Sequence, residues 1–130
     1  MSYNDPPCET NGRITLANVL TEMNDAGDFK ISVLTSKEGL PIATAPPDHD
    51  SDLAAAMMAL LQKVSNDAQS QIGMAPVDEV TIRDQNDFRL VCRHITVGQE
   101  ELILSAIVPP DHPYRRVTNR ALKHIHQLLS

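Results

Sequence analysis

Aromatic residues are scarce in this chain: among 130 residues there are two tyrosines, two phenylalanines and no tryptophan. Because 42% of the residues are nevertheless hydrophobic, the core must be built from aliphatic side chains. Basic residues are also in deficit, with 11 Lys and Arg against 17 Asp and Glu, which gives a net charge of −6. Nucleic-acid-binding domains carry a basic surface and aromatic stacking platforms. We therefore expect no nucleic-acid partner.

Cysteine and long apolar runs are limited as well. Cys8 and Cys92 are too few for a disulfide framework, and reduced thiols are typical of cytoplasmic proteins. The longest apolar runs, 53–61 and 102–107, are far shorter than the roughly 20 residues that cross a bilayer. A secretory signal has a basic segment followed by an apolar one, and the N-terminal residues show neither. The sequence predicts a cytoplasmic protein with no membrane insertion.

A chain of this length favours one domain, and its prolines and glycines divide it into short segments. Residues 1–13 read as a flexible leader and 14–130 as a single α+β domain. Thr15 is the expected cap of the first helix and Gly27 its end, as a C′ glycine would be. Apolar periodicity predicts the order α-β-β-α-β-β-β-α: a helix at 15–27, strands at 29–35 and 40–45, a helix at 53–72, strands at 77–82, 88–95 and 101–108, and a last helix from 113.

Two strand patterns predict positions within the sheet. Pro41 cannot donate a ladder hydrogen bond, so its strand belongs at an edge. The continuous apolar run of 101–108 is typical of a central strand that is covered on both faces. For the strand at 88–95, alternation predicts that one set of side chains faces inward and the other outward: Phe88, Leu90 and Cys92 inward, and Arg89, Val91 and Arg93 outward.

The helix at 53–72 is apolar on nearly all sides in its first half, since no residue from Leu53 to Leu61 is charged. A surface helix normally shows one polar face. The alternative is that these alanines serve only helix propensity, since alanine tolerates exposure, but Met57 and Met58 point about 100° apart and cannot both share one narrow core seam. We therefore expect a second copy of the chain to cover this helix through Leu53, Met57, Met58 and Leu61.

No motif predicts a catalytic, cofactor or metal site. Cys92 and His94 are two residues apart on one strand, roughly 6.5–7 Å, which is long for a nucleophile and its base. Cys92 reads better as a small buried hydrophobic residue. The acidic run 48–52 has helix-capping residues and also metal-ligand types, but it lacks the glycine and the downstream glutamate of a calcium loop. Capping is the favoured interpretation.

The last helix concentrates positive charge. Residues 113–130 contain four basic and no acidic residues, so the rest of the chain has 7 basic and 17 acidic residues. Arg116, Arg120 and Lys123 are three or four residues apart and share one helix face. This face is either simply solvated or a docking site for an acidic partner.

Several segments resemble the roadblock/LC7 family. They are the hairpin Ser32-Val-Leu-Thr-Ser-Lys-Glu-Gly39-Leu-Pro-Ile-Ala43, the Ala-rich helix that ends in Gln71-Ile-Gly73, the strands that follow it, and the apolar strand Leu102–Val108 before the final helix. The similarity covers about residues 14–129. It implies a five-stranded antiparallel sheet with helices packed on it, in the manner of profilin and longin domains.

The resemblance also implies a function. Such domains form homodimers through their second helices and third strands, which adds Val77, Val80 and Ile82 to the expected interface. They are not usually enzymes and need no cofactor, and they scaffold or regulate small Ras-like GTPases. The chain is most similar to the prokaryotic branch of such regulators. A small-molecule sensor or adaptor of profilin-like or PAS-like layout is the alternative, although few aromatics argue against a flat cofactor pocket.

Overall fold

A computed structural model describes the backbone of residues 8–47 and 51–130 and the side chains of residues 16–47 and 58–130. Within these ranges the chain forms three helices and five strands in the predicted order. The bounds of the elements are α1 Cys8–Gly27, β1 Ser32–Ser36, β2 Pro41–Ala45, α2 Ser51–Ile72, β3 Glu79–Arg83, β4 Arg89–Val97, β5 Glu100–Val108 and α3 Arg115–Leu129.

Helix α1 is longer than predicted and ends differently. It begins at Cys8, so the helix already includes part of the segment that was expected to be a leader. At its other end Gly27 is the last helical residue, and Asp28 takes the left-handed conformation with φ of 60°. Gly27 is needed for space, because a Cβ there would lie 2.5 Å from the Phe29 ring. The predicted apolar face is confirmed by burial, with 7% exposure or less for Leu16, Val19, Leu20 and Met23.

The five strands form one antiparallel sheet in the order β2-β1-β5-β4-β3. The two positional predictions are confirmed, since β5 is the middle strand and Pro41 lies on the edge strand β2. The opposite edge is β3, which pairs with β4 alone among the described strands.

Helices cover both faces of the sheet. Leu104 and Val108 of β5 pack with Leu20 of α1 and Ile125 of α3 in the larger core cluster. The adjacent residue Ile103 points the other way and belongs to a smaller cluster under α2. The alternation of a strand therefore divides β5 between two cores, which is why its apolar run is continuous.

This arrangement corrects the expected orientation of β4. Val91 and Arg93 do not face solvent: they are 1% and 8% exposed because α1 and α3 pack over that face. Cys92 points toward α2 and is also 1% exposed. In the described part of the chain, no helix has the length and apolar character that a membrane crossing requires.

Candidate interaction surfaces

Helix α2 packs on the sheet through one side and leaves an apolar stripe on the other. Met58 and Leu61 contact the sheet, and Ser65 continues this buried side by donating a hydrogen bond to the Leu61 carbonyl at 3.1 Å. Leu60 and Val64, one helical turn apart, are 64% and 53% exposed. This pair forms a small apolar stripe on the outer side of α2, which the described side chains do not cover.

The burial of Met58 and Leu61 corrects part of the predicted dimer interface. They are only 2% and 7% exposed, so the sheet of their own chain covers them and no second copy is needed for that. The helix is apolar on two sides because one side packs inward and the other carries Leu60 and Val64. Leu53 and Met57 also belong to the prediction, and their side chains lie outside the described residues.

A row of four aliphatic residues crosses the sheet on the α2 side. The register places Ile82 of β3 opposite Leu90 of β4, and Leu90 opposite Ile107 of β5. The backbone N–H of Ile107 donates to the Ile31 carbonyl at 3.1 Å, which extends the row to the residue before β1. Ile31 and Ile82 are 39% and 50% exposed, and the two between them are half-buried. We call this set the exposed sheet row: Ile31, Ile107, Leu90 and Ile82.

The exposed sheet row runs to the free edge of β3. The predicted interface residue Val80 lies two positions from Ile82 on the same face and is half-buried against the smaller core cluster. Val77 is half-buried in the connection that precedes β3. Because β3 has no second strand partner within the described residues, alternate backbone N–H and C=O groups face outward there. The structure thus brings an unpaired edge and exposed aliphatic side chains together.

The basic residues of α3 lie on the other side of the molecule, since α3 packs on the opposite face of the sheet from α2. Arg116, Arg120 and Lys123 are all exposed, and none forms an ion pair with another described residue. We call them the basic row. Arg120 also borders a groove between α1 and α3 whose walls include Val19 and Val117. A small-molecule sensor would use such a groove, and that alternative stays a prediction.

Cys92 and His94 do not form a reactive pair. Burial raises the pKa of the Cys92 thiol to about 11, and the nearby Ser105 hydroxyl offsets only part of this effect. A thiol with this pKa is protonated at neutral pH and is a poor nucleophile. The His94 Nε2 atom lies 3.3 Å from the Gln62 side-chain oxygen of α2, so the imidazole contacts the helix.

The described side chains include no group of three or more His, Cys, Asp or Glu that is placed to hold a metal ion. Residues 48–50 of the acidic run lie outside the described residues, and the interpretation of that run as capping remains a prediction.

Comparison with known proteins identifies the family. The Roadblock/LC7 domain profile matches residues 15–94, more than half of the chain, so the chain belongs to the Roadblock/LC7 domain family. Among curated proteins, none matches the chain.

Solved structures share the fold at low sequence identity. The gliding protein MglB from Thermus thermophilus aligns with a TM-score of 0.71 and 14% identity over 91% of this chain and 90% of its own. Myxococcus xanthus MglB aligns with a TM-score of 0.72 and 17% identity over 88% of this chain and 94% of its own. A Roadblock/LC7 domain from Streptomyces avermitilis aligns with a TM-score of 0.62 and 15% identity over 85% of this chain and 91% of its own. Together with the family profile, these similarities confirm the predicted α+β fold.

Sequence patterns found some of these residues and missed others. Leu60 and Val64 follow the apolar spacing of α2, but spacing alone did not show which side packs inward. Ile31, Leu90 and Ile107 carry no local signal as a group, because three separate strands bring them into one row. Only the sheet register identifies such a surface.

Proposed function

We propose that this chain is a homodimeric, non-enzymatic regulator or scaffold of a small Ras-like GTPase. The observations that carry the dimer lie on the α2 side of the sheet: the exposed Leu60 and Val64 of α2, the exposed sheet row, and the β3 edge at the end of that row, which has no second strand partner among the described residues. Exposed aliphatic side chains beside a free strand edge favour aggregation of a monomer. A second copy would cover these side chains and pair the strand edge at the same time.

The geometry of a two-fold axis supports this dimer. If β3 pairs with its own copy in antiparallel fashion, the axis is perpendicular to the sheet. Both α2 helices then lie on the same face and approach each other across the axis. The pair would bury Leu60 and Val64 together with Ile82, and would satisfy the free backbone groups of β3. One of the structures with the same fold is an MglB with tetrameric arrangement, which is consistent with self-association of such domains.

Support for the GTPase partner comes from family membership, because domains of this kind commonly act as platforms for small Ras-like GTPases. Burial raises the pKa of the Cys92 thiol to about 11, so this cysteine is not an activated nucleophile. A dimer would bind the switch regions of the GTPase and shift the population of switch conformations. The basic row supplies the docking site for an acidic partner surface. Such a regulator would act in the cytoplasm with its partner and would need no cofactor of its own.

Sedimentation velocity over a range of concentrations tests the dimer. Ile82→Asp places a charge on the exposed sheet row, where it would be buried without a partner in the dimer, at a cost of several kcal/mol. We expect this variant to sediment as a folded monomer and the wild type as a dimer. Thr96→Asp, at an exposed position of β4, is the matched control and should stay dimeric. A dimer that persists in Ile82→Asp would refute the interface.

A binding assay with small Ras-like GTPases of the source organism, loaded with GTP or GDP, tests the partner. We expect retention of one such GTPase with a preference for one nucleotide state, and weaker retention by Arg120→Glu at low salt. Equal retention of both states would reduce the role to tethering. No retention in either state would refute the GTPase proposal while leaving the dimer intact.

A further inference from the structure

Glu79 is the first residue of β3 and lies on the α3 side of the sheet. Val80 and Ile82 point to the α2 side, so alternation directs Glu79 and Thr81 to the side where α3 packs. The described side chains of β3 contribute no member to the larger core cluster between the sheet and α3. The connection between this edge strand and α3 is therefore polar, and Glu79 is at its centre.

The Glu79 carboxylate has donors at both oxygens. Its Oε2 atom accepts hydrogen bonds from the Tyr114 hydroxyl at 2.5 Å and from the Thr81 hydroxyl at 2.7 Å. Its Oε1 atom lies 3.5 Å from an Arg115 terminal nitrogen and 3.9 Å from Arg93 Nε. Burial alone would raise the pKa of Glu79, but these hydrogen bonds and positive charges outweigh burial and lower the pKa below its ordinary value. The carboxylate is thus ionised at neutral pH.

Helix α3 begins without the usual stabilising groups of its own. Its N-cap residue, Tyr114, makes no side-chain capping bond, and the first turn has no acidic residue. The two arginines that open the helix, Arg115 and Arg116, are unfavourable near the positive end of the helix dipole. Glu79 reaches across from β3 and supplies the negative charge that this end lacks.

Further contacts bind the same turn to the sheet. Arg93, with 9% of its side chain exposed, donates to the Thr118 hydroxyl at 2.9 Å and to the Asn119 side-chain oxygen. The guanidinium groups of Arg89 and Arg115 each lie 5.7 Å from the centre of the Tyr114 ring. Glu79 is the single anion among these residues, so its loss leaves Tyr114, Arg93 and Arg115 without their shared partner.

We infer that Glu79 couples the edge strand β3 to the first turn of α3, so that dimer formation at β3 and the placement of α3 depend on each other. This inference rests on the proposed function, because it takes β3 as the dimer edge. One end of the coupling is the edge that a second copy would occupy, and the other is the helix that carries the basic row. By thermodynamic linkage, an acidic partner that repositions α3 changes the affinity of the dimer, and dimer formation changes the affinity for that partner by the same factor.

Glu79→Gln tests the coupling because it removes the charge and keeps the shape. We expect the dimer dissociation constant to rise at least tenfold in sedimentation equilibrium. We also expect amide hydrogen exchange at Thr118, whose N–H donates to the Tyr114 carbonyl at 2.9 Å, to accelerate at least tenfold. Glu100→Gln, at an exposed carboxylate of β5, is the control and should change neither quantity.

A second comparison separates coupling from a simple loss of stability. Ile82→Asp, which removes the dimer from the other face of β3, should accelerate exchange at Thr118 when Glu79 is present and have little effect in Glu79→Gln. Equal acceleration in both backgrounds would overturn the inference, and so would an unchanged dimer constant in Glu79→Gln.

Two further results keep the inference separate from the proposed function. If the wild type sediments as a monomer, the proposed dimer fails. The link of Glu79 to α3 is then tested by amide hydrogen exchange in Glu79→Gln, where exchange should accelerate at both β3 and Thr118; acceleration at neither would overturn the link. If Glu79→Gln does not fold, Tyr114→Phe, which removes one hydrogen bond, replaces it and should shift both quantities in the same direction. No shift in Tyr114→Phe would overturn the inference.

Discussion

Truncation of Leu60 to alanine should weaken the dimer by an amount that the structure allows us to estimate. The change removes three carbon atoms, worth about 0.8 kcal/mol each when they are fully buried. Leu60 is 64% exposed in the single chain, so the dimer can bury about two thirds of its side chain. The three carbon atoms then contribute about 1.5 kcal/mol to the free energy of association of each copy. The residue occurs twice in a two-fold interface, which gives about 3 kcal/mol, or about a 150-fold rise in the dissociation constant.

Sedimentation equilibrium of the wild type and Leu60→Ala measures this difference directly. Leu40→Ala is a matched control, because Leu40 is 66% exposed but lies in the β1–β2 connection, far along the sheet from β3. We expect its dimer constant to remain within about twofold of the wild-type value. Thermal unfolding at low concentration should confirm that the single chain folds equally well in both variants. An unchanged constant in Leu60→Ala, or an equal loss in Leu40→Ala, would refute the assignment of the α2 stripe to the interface.

Three further predictions concern the single chain. Because the pKa of Glu79 is lowered in the folded state, its contribution to stability is present above pH 4.5, the ordinary pKa, and is lost as the pH falls below that value. Between pH 7 and pH 3, urea unfolding should therefore show a larger decrease in the free energy of unfolding for the wild type than for Glu79→Gln. Cys92 should react with iodoacetamide at pH 8 far more slowly than a peptide thiol, and at the peptide rate once urea unfolds the chain; a fast native reaction would contradict its burial. Leu104→Ala should lower the free energy of unfolding by about 2–5 kcal/mol in urea denaturation, since Leu104 is 1% exposed in the larger core; a loss below 1 kcal/mol would mean that the core rearranges to fill the space.

Local patterns in the sequence were sufficient for the element order. The spacing of Leu16, Val19, Leu20 and Met23 predicted the buried face of α1, because helical periodicity repeats within a few residues. Pro41 predicted an edge strand because of a property of one residue, its missing N–H. The charge of the last helix and its basic row are also determined by composition and spacing. These features need no knowledge of what lies across the fold.

Features that depend on contacts between distant segments were decided by the tertiary structure alone. Arg93 alternates like an outward-facing strand residue, yet α3 covers it and uses it to hold Thr118. The apolar pattern of α2 predicts that a second chain covers Met58, whereas the sheet of its own chain buries it.

The exposed sheet row and the contacts of Glu79 join residues that are far apart in sequence, 79 with 114 and 31 with 107. Periodicity shows which residues of an element share a face, and it contains no information about which other element that face meets. The register of β3, β4 and β5 supplies that information for the exposed sheet row, and the contacts of Glu79 supply it for the proposed link between β3 and α3.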